Sequence, residues 1–518
     1  MYVVVIGTAG NQRYIFSSNK RQEIVGASDL ITRVEGAWAD EALKKAFPGF
    51  ERKTWRLDPH GAELVVAGAG GITVLTKDGE AGRRLVTELT ALALLRAPGL
   101  DVCGVVAEYI PGSLAERMGE VRKELAAVRE ARPGPQARFL RLPLVEDCGS
   151  SGLPATEIHR EGSGEPLRPR SAASVAKLAA YRGALDRMAV IASRTQREMR
   201  EVADRLGMRT PWVAVSHADG NGFGAVFQSL REMVKDDSGY VDLLRNVSQA
   251  TDACAKEAFK TALSCVKEEL GEPPAILPLV IGGDDLTVVC EGEVALSFTR
   301  HYLEAFEEET ATDPRLALVL ERLGRESLGA GAGVAIVKQN YPFHFAYDLA
   351  EELIGTEAKR VKERGSALAF AVLLESSAPD LKRIRQAGGA GGSASPYLVG
   401  AAGRNDEASG WTWQDLERRV DALKRRDPGS GELLIPRGVV HDLREGLHLG
   451  AEVAASRLEL LRRRFEGDRE RTAALLQLVE KESGSLWLDD LDGGEGPVTG
   501  LPDAMVALQF LKAGNEAE

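Results

Sequence analysis

The sequence has few of the features that mark a secreted, disulfide-linked or membrane protein. Only five of its 518 residues are cysteines and no two form a CxxC pair, so neither a disulfide framework nor a complete zinc site can be read from it. No apolar run approaches the roughly 20 residues that cross a bilayer, and the start MYVVVIGTAGN lacks the basic region and cleavage site of a signal peptide. We therefore expect a cytoplasmic protein with no membrane partner.

The chain also lacks an excess of positive charge. Its 65 Lys and Arg residues stand against 77 Asp and Glu residues, and the net charge of −12 argues against a protein coated in nucleic acid. A local basic groove remains compatible with this total, because recognition uses patches. The shares of hydrophobic (44%) and charged (27%) residues are those of soluble globular proteins, and the length predicts about three domains.

What the sequence does contain is one acidic hairpin motif and a copy of it without acids. The segment LVIGGDDLTVV (279–289) aligns without a gap on VVAGAGGITVL (65–75). This alignment places Asp284 and Asp285 opposite two glycines of the earlier segment.

A second pair of segments agrees with the first. VAVSHADGNGFGAVF (213–227) aligns on VVVIGTAGNQRYIFS (3–17), which places Asp219 opposite Ala9. We therefore predict two homologous folding units, of which only the later one keeps its acids.

The order of predicted elements indicates an α+β fold with two ferredoxin-like units. Residues 1–112 form the first unit and residues 209–376 the second, each running strand, helix, hairpin, helix, strand. Residues 113–208 carry helix-forming runs and predict a helical linker domain, and residues 377–518 predict a C-terminal helical bundle.

Within these units the patterns predict specific elements. For the first unit they are a strand at 2–7, a helix at about 11–46, a hairpin at 62–76, a helix at 79–96 and a strand at 102–109. For the second they are a strand at 212–218, a helical stretch to about 270, a hairpin at 276–290, a helix at 295–323 and a strand at 331–338.

The acids of the second unit predict a metal site. The GGDD hairpin presents Asp284 and Asp285 at its tip, and Gly282 and Gly283 let the backbone approach a bulky ligand. Asp219 ends the neighbouring strand and can converge on that tip. Three carboxylates at one place repel each other unless a divalent cation lies among them, and a site of oxygen ligands alone suits Mg²⁺ or Mn²⁺.

The segment after Asp219 predicts a phosphate-binding turn. Gly220, Asn221 and Gly222 form a glycine-containing turn that opens a helix, where backbone amides and the helix N-terminus favour phosphate. The triphosphate of a nucleotide would then lie beside two metal ions, which activate an attacking hydroxyl and stabilise the pyrophosphate leaving group.

Each motif also has a structural explanation. Gly-Gly followed by acids is a common hairpin turn, and Asp219 would serve equally as a loop acid or a helix N-cap. A structural turn, however, gives no reason for all three acids to differ together between the two copies. That combination favours metal-dependent nucleotide chemistry.

As a set, these motifs resemble the large polymerase-like subunit of type III CRISPR effector complexes. NQRYIFSSNKRQEIVGASDLI (11–31) is similar to the helix after that family's first Palm strand, ADGNGFG (218–224) to its second Palm acid motif, and IGGDDL (281–286) to its GGDD signature. The segment 332–363, AGVAIVKQNYPFHFAYDLAEELIGTEAKRVKE, resembles its fourth Palm strand and following helix. The resemblance spans nearly the whole chain.

The resemblance implies two nucleotidyl cyclase-like Palm domains that face each other, with two ATP molecules in the cleft between them. Only the second Palm has the acids needed to bind metal. By this similarity Asp219, Asp284 and Asp285 hold two Mg²⁺ or Mn²⁺ ions.

The resemblance also suggests nucleotide-binding residues. Ser17, Ser18 and Asn19 of the acid-free copy are expected beside the acceptor nucleotide. Lys359 and Lys362 are expected to reach the triphosphate, although exposed helix lysines are the simpler explanation for them.

The sequence departs from the family in two respects. The family often begins with an HD nuclease domain, whereas this sequence starts at its first Palm, so DNA cleavage is not predicted. The segment LPLVEDCGSSGLPATE resembles the remnant of a four-cysteine zinc ribbon in which only Cys148 is left, which makes a zinc ion doubtful.

The leading hypothesis is a nucleotidyltransferase that joins the 3′-hydroxyl of one ATP to the α-phosphate of another. By resemblance, the product is a cyclic oligoadenylate or related second messenger, made in an antiviral complex of guide RNA and small backbone subunits that captures target RNA. One alternative is a stand-alone cyclic-dinucleotide synthase of the GGDEF type, which the GGDD hairpin and the whole acid-free copy disfavour. The other is an architectural subunit with an inactive site, which the three intact acids disfavour.

Overall fold

The structure of the protein is a computed structural model. It describes residues 1–160, 166–208, 210–234, 236–374, 379–386, 392–404, 409–480, 483–488 and 497–511. The predicted domain limits at 112, 208 and 376 stay predictions, and the last of them lies outside the described residues.

The N-terminal part of the chain forms a four-stranded antiparallel sheet, which we call the first Palm. Its elements are β1 (Tyr2–Ala9), α1 (Asn11–Ile15), α2 (Arg21–Glu35), α3 (Ala37–Ala46), α4 (Leu57–His60), β2 (Ala62–Gly68), β3 (Gly71–Thr76), α5 (Gly79–Arg96), β4 (Asp101–Glu108) and α6 (Leu114–Ala131). The strand order is β2-β3-β1-β4. The central strand β1 is rich in Val and Ile, whose branched side chains suit a buried strand.

A short connecting region leads to the second unit. It contains β5 (Glu157–His159), β6 (Arg168–Arg170), α7 (Ala172–Ile191) and α8 (Gln196–Met208). Helix α7 packs along α2 at very close range, since a Cβ built on Gly26 would lie 1.8 Å from the Lys177 carbonyl oxygen. Cys148 is buried, and its Sγ lies 3.2 Å from the Ser150 hydroxyl.

The second Palm repeats the element order of the first on a larger sheet. Its elements are β7 (Trp212–Gly220), α9 (Phe223–Met233), α10 (Asp237–Leu270), β8 (Ile276–Gly282), β9 (Asp285–Glu291), α11 (Gly292–Thr312), α12 (Ala317–Leu323), β10 (Ala330–Lys338), α13 (Phe343–Thr356) and β11 (Ala367–Val372).

The C-terminal part is largely helical. It comprises α14 (Leu381–Gln386), β12 (Gly392–Ser393), β13 (Tyr397–Leu398), α15 (Trp413–Lys424), α16 (Arg437–Leu449), α17 (Ala451–Arg464), α18 (Arg469–Leu476), β14 (Val498–Thr499) and α19 (Leu501–Ala507). A capping box starts α15, where the Thr412 side chain and Asp415 bond to each other's backbone amides. Strand β13 joins the second sheet, whose order is β13-β11-β10-β7-β9-β8. None of the helices in the described ranges is long and apolar enough to cross a membrane.

Two long helices of the sequence-based prediction are interrupted. The helix expected over 11–46 is three helices, because Ser17 bonds to the Tyr14 carbonyl where α1 ends and Gly36 separates α2 from α3. The helix expected over 295–323 is split into α11 and α12 at Asp313, which bonds to the backbone and side chain of Arg315.

The two sheets share a core of the same topology. The order β8-β9-β7-β10 repeats β2-β3-β1-β4, and α13 packs on β10 as α6 packs on β4. Each hairpin also has an irregularity at the same place, between Leu64 and Val66 in the first and between Pro278 and Val280 in the second. This shared β-bulge supports the hairpin alignment read from the sequence.

The register of the first strand corrects the sequence alignment by two residues. Gly7 lies opposite Gly71 in the first sheet, as Asp219 lies opposite Asp285 in the second. The counterpart of Asp219 is therefore Gly7 and not Ala9. A shift of two residues leaves every side chain on its original face, so hydrophobic alternation could not reveal it.

The turn after each strand agrees with the corrected register. Gly10 precedes α1 and Gly222 precedes α9, both in the left-handed region with φ of 61° and 74°. Their spacing from Gly7 and Asp219 is the same. Gly10 is thus the counterpart of Gly222 rather than of Gly220.

The two Palms contact each other through an approximately reciprocal arrangement. Helix α2 of the first Palm packs on β8 of the second, and α10 of the second packs on β2 of the first. In the first contact the Ser28 hydroxyl donates to the Leu279 carbonyl at the bulge of β8. In the second, Arg245 Nη2 lies 3.5 Å from the Leu64 carbonyl at the bulge of β2 and also pairs with Glu63.

Candidate active site

The structure brings the three predicted acids together at one end of the second sheet. Asp219, at the end of β7, pairs in register with Asp285, the first residue of β9, and Asp284 lies in the turn beside them. Gly220 makes this approach possible, since a Cβ there would lie 2.7 Å from the Asp284 Cβ and 2.3 Å from the Phe223 ring.

The two hairpin glycines differ in what the backbone requires of them. Gly283 has a φ of 63°, which favours glycine at the first central position of a two-residue turn. A Cβ at Gly282 would make an ordinary contact with Asp252 Oδ1 at 3.6 Å. Only Gly283 is therefore fixed by conformation.

The hairpin carboxylates are unfavourable as anions in the absence of a cation. Burial, followed by the charge of Asp219, raises the pKa of Asp284 to about 6 and that of Asp285 to about 7. The Asp285 side chain is 37% exposed, yet its Oδ1 is buried without a hydrogen-bond partner. Oxygen donors in this state fit Mg²⁺ or Mn²⁺.

One positive charge already lies in the cluster. The Lys359 ammonium pairs with Oδ2 of Asp219. Gly331 lies opposite Asp219, and a Cβ there would be close to the Ala358 Cβ at 3.2 Å but in ordinary contact with the Lys359 Cγ at 3.6 Å. In the described part of the chain, no three His, Cys, Asp or Glu side chains lie close enough together to hold a metal ion. Lys362 is exposed at the end of the short 3₁₀ turn that carries Lys359.

The predicted phosphate-binding turn uses some of its polar groups internally. The Asn221 amide donates to the Gly329 carbonyl at 2.8 Å, and its Nδ2 donates to the Gly365 carbonyl at 2.9 Å. Asn221 is 2% exposed and holds the turn in place, whereas Gly222 opens α9 with its left-handed backbone. Its Nδ2 joins two parts of the protein, whereas its Oδ1 is buried without a hydrogen-bond partner, and the predicted nucleotide contact of Asn221 stays a prediction.

Arg325 is a basic residue at this turn that the sequence analysis missed. Its Nη1 donates to the Asn221 carbonyl at 3.3 Å and would lie 3.1 Å from a Cβ on Gly222. Its Nη2 lies 3.1 Å from Glu363. No motif could have indicated it, because Arg325 lies in a loop about 100 residues after the turn and is brought there by the fold.

The residues expected beside an acceptor nucleotide lie where α1 ends. Ser17 and Asn19 are exposed, and Ser17 Oγ accepts from Lys177 Nζ at 2.7 Å. Ser18 is buried, and its Oγ accepts from the Lys20 amide at 3.1 Å. Phe16, which directly precedes Ser17, stacks on Tyr347 of the second Palm.

The protein contains two Palm-type domains, and only the second carries carboxylates at the tip of its hairpin. Residues 212–368 match the family described as Cas10/Cmr2, second palm domain. This segment is therefore similar to a Cas10 second palm domain, which confirms the resemblance seen in the motifs, and the α+β fold class is confirmed as well.

Solved structures of similar fold cover nearly the whole chain. The Csm1-Csm4 cassette in complex with AMPPNP has a chain that is 13% identical, with a TM-score of 0.51 over 99% of this chain and 70% of that one. In the cassette in complex with pppApApA the values are 14%, 0.51, 98% and 69%. The apo type III-B Cmr-beta complex gives 9%, 0.51, 98% and 81%. These identities show a shared fold, and no curated protein matches the sequence.

Proposed function

We propose that the chain is a metal-dependent nucleotidyltransferase that makes an adenylate second messenger from ATP. The observation that carries the proposal is the pairing of Asp219 with Asp285, beside Asp284, where the pKa values of Asp284 and Asp285 are raised. Burying carboxylates together in this way costs folding free energy unless a bound cation compensates their charge.

The residues divide the reaction between them. Asp219, Asp284 and Asp285 would hold two divalent ions, which activate the attacking hydroxyl and stabilise the leaving group when bound. Arg325 and Lys359 bind and orient the triphosphate. The 3′-oxygen of the acceptor ATP forms a bond to the α-phosphorus, and the bond from the α-phosphorus to the α,β-bridging oxygen breaks with its electrons leaving on pyrophosphate. The hydroxyl proton passes to solvent water.

The product class and partners extend the proposal. Csm1-Csm4 structures of similar fold are complexes with AMPPNP, pppApApA and cA4, which supports a cyclic oligoadenylate as the product here. We place the chain in a cytoplasmic type III CRISPR complex, with guide RNA, target RNA and small backbone subunits as partners. Target RNA then acts as the trigger for synthesis.

Mass spectrometry of the products made from ATP tests the proposal. The protein is purified with its native partners and incubated with Mg²⁺ or Mn²⁺, with and without complementary RNA. We expect adenylate products that disappear in D284A/D285A and persist in E268A/E272A, a matched loss of two exposed acids at the C-terminal end of α10 and just after it. Products from D284A/D285A would contradict the site. RNA-independent products would favour the stand-alone synthase, and no product under any condition would favour the architectural subunit.

A further inference from the structure

A buried histidine stands next to the acid cluster, and no motif had singled it out. His217 lies two residues before Asp219, so the two side chains leave β7 on the same face. Its ring is 7% exposed, and Nδ1 lies 3.0 Å from the Leu286 carbonyl, 3.1 Å from the Thr287 hydroxyl and 3.4 Å from Asp285 Oδ1.

The hydrogen-bond partners fix which ring nitrogen carries the proton. The Leu286 carbonyl can only accept, so Nδ1 is the protonated nitrogen. Nε2 then accepts from the Tyr347 hydroxyl at 3.3 Å. Burial lowers the pKa of His217, in keeping with a neutral ring. Nδ1–H therefore points to the Leu286 carbonyl, and the same edge of the ring lies 3.4 Å from Asp285 Oδ1, which has no hydrogen-bond partner of its own.

Tyr347, in turn, is held by the other Palm. Its ring stacks on Phe16 of the first Palm, with ring centres 4.8 Å apart and an angle of 27°. Both residues are buried, and Gln12 of α1 also hydrogen-bonds to Tyr347. A continuous set of contacts thus runs from the acid-free Palm through Tyr347 and His217 to Asp285.

We propose that His217, held by Tyr347 and Phe16, is a positioning residue that orients the Asp285 carboxylate toward a divalent cation. The positive edge of the imidazole ring, 3.4 Å from Oδ1, attracts that oxygen and keeps it on the buried side, which leaves Oδ2 as the oxygen able to reach the ion. The inference rests on the proposed function, because it requires that Asp285 ligates a metal. It assigns the first Palm a role in the metal affinity of the second.

Metal binding without nucleotide tests this role directly. The Kd for Mn²⁺ is measured by calorimetry on the full chain, with the thermal midpoint of each variant as a check of folding. We expect H217L to raise the Kd about 10-fold to 100-fold, the usual effect of losing a group that orients a ligand. H217N should restore part of the affinity, because its amide can donate to the Leu286 carbonyl and again place an N–H edge beside Oδ1. Y347F and F16L should give smaller increases.

Two variants of similar chemistry serve as controls. H301L removes a histidine paired with Glu269 away from the site, and F259L shortens a buried phenylalanine that packs on Phe298. Both should bind Mn²⁺ as the unaltered chain does. F16L/H217L should bind no more weakly than H217L, since Phe16 acts through His217.

The outcomes separate this inference from the proposed function. If the unaltered chain binds Mn²⁺, D285N loses it and folded H217L and Y347F keep the original Kd, the positioning role is wrong while the metal site stands. A folded H217N that binds Mn²⁺ no better than H217L would also contradict the role of the polar ring edge beside Oδ1. If the unaltered chain does not bind Mn²⁺, both proposals fail.

Discussion

The two Palms place side chains of opposite charge at the end of their first strand, a carboxylate in the second Palm and a guanidinium in the first. In the second, Asp219 ends the strand and pairs with Lys359. In the first, Gly7 stands at that place, and Arg129 fills the space, with Nη2 2.8 Å from where a Cβ would be and 2.7 Å from the Thr8 carbonyl. The first Palm therefore differs by more than a missing carboxylate, because the Arg129 guanidinium lies where that carboxylate would begin.

The largest effect should come from removing one acid of the second Palm. D285N should lower product formation about 1000-fold, corresponding to about 4 kcal/mol of lost transition-state stabilisation. The metal-free thermal midpoint at pH 8 should stay or rise, because the pKa of Asp285 is raised to about 7 and its ionised form disfavours folding above that pH. Rapid-quench assays and thermal denaturation would measure the two effects. A large drop in the midpoint would mean that Asp285 is structural.

Restoring acids to the first Palm should leave it inactive. We expect no product from G7D/G70D/G71D placed in the D284A/D285A background, measured by mass spectrometry. A Cβ at Gly70 would lie 2.3 Å from Thr8 Oγ1, and one at Gly71 would lie 2.8 Å from the Ile6 carbonyl. Product from a folded variant would contradict the stated difference between the two Palms, since it would show that the first Palm lacks only its carboxylates.

A smaller effect is expected where the second Palm needs glycine and the first does not. G220A should destabilise the chain by about 1 to 3 kcal/mol in urea denaturation, because its Cβ would meet the Phe223 ring and Asp284. G224A is the control, since nothing lies within 4 Å of a Cβ there. In the first Palm the corrected register places Thr8 at the position of Gly220, so that Palm accommodates a side chain there. Equal stability of the two variants would contradict the tight packing at the hairpin.

The smallest effect should come from the triphosphate end. R325A should raise the KM for ATP about tenfold, as expected for losing one charge-assisted hydrogen bond of about 1.5 kcal/mol. R322A removes a nearby exposed arginine that pairs with Glu232 and should leave KM unchanged. Steady-state kinetics at saturating Mg²⁺ would distinguish them. An unchanged KM in R325A would remove Arg325 from the nucleotide site.

The sequence predicted the acidic hairpin because its evidence is local. Asp284 and Asp285 sit in a short glycine turn between two apolar runs, and the copy at 65–75 has the same length and pattern. The helix at 79–96 was equally accessible, since Asp78 caps its first turn.

The remaining parts of the site depend on tertiary contacts. His217 reads as an ordinary polar residue in a strand, and only the register with β9 brings it to Asp285. Arg325 and Phe16 reach the site from distant loops and carry no local pattern. The match of Asp219 to Ala9 was wrong by two residues, because strand alternation is blind to a shift of that size.

The reciprocal packing of α2 on β8 and α10 on β2 has a consequence for assembly. Contacts of this kind are isologous, the form that a twofold homodimer uses, yet here both halves belong to one polypeptide. The chain is in effect a dimer whose two subunits are covalently linked and have diverged. Pairing of the halves is unimolecular, so product formed per chain should not depend on chain concentration, unlike that of an enzyme that must first dimerise.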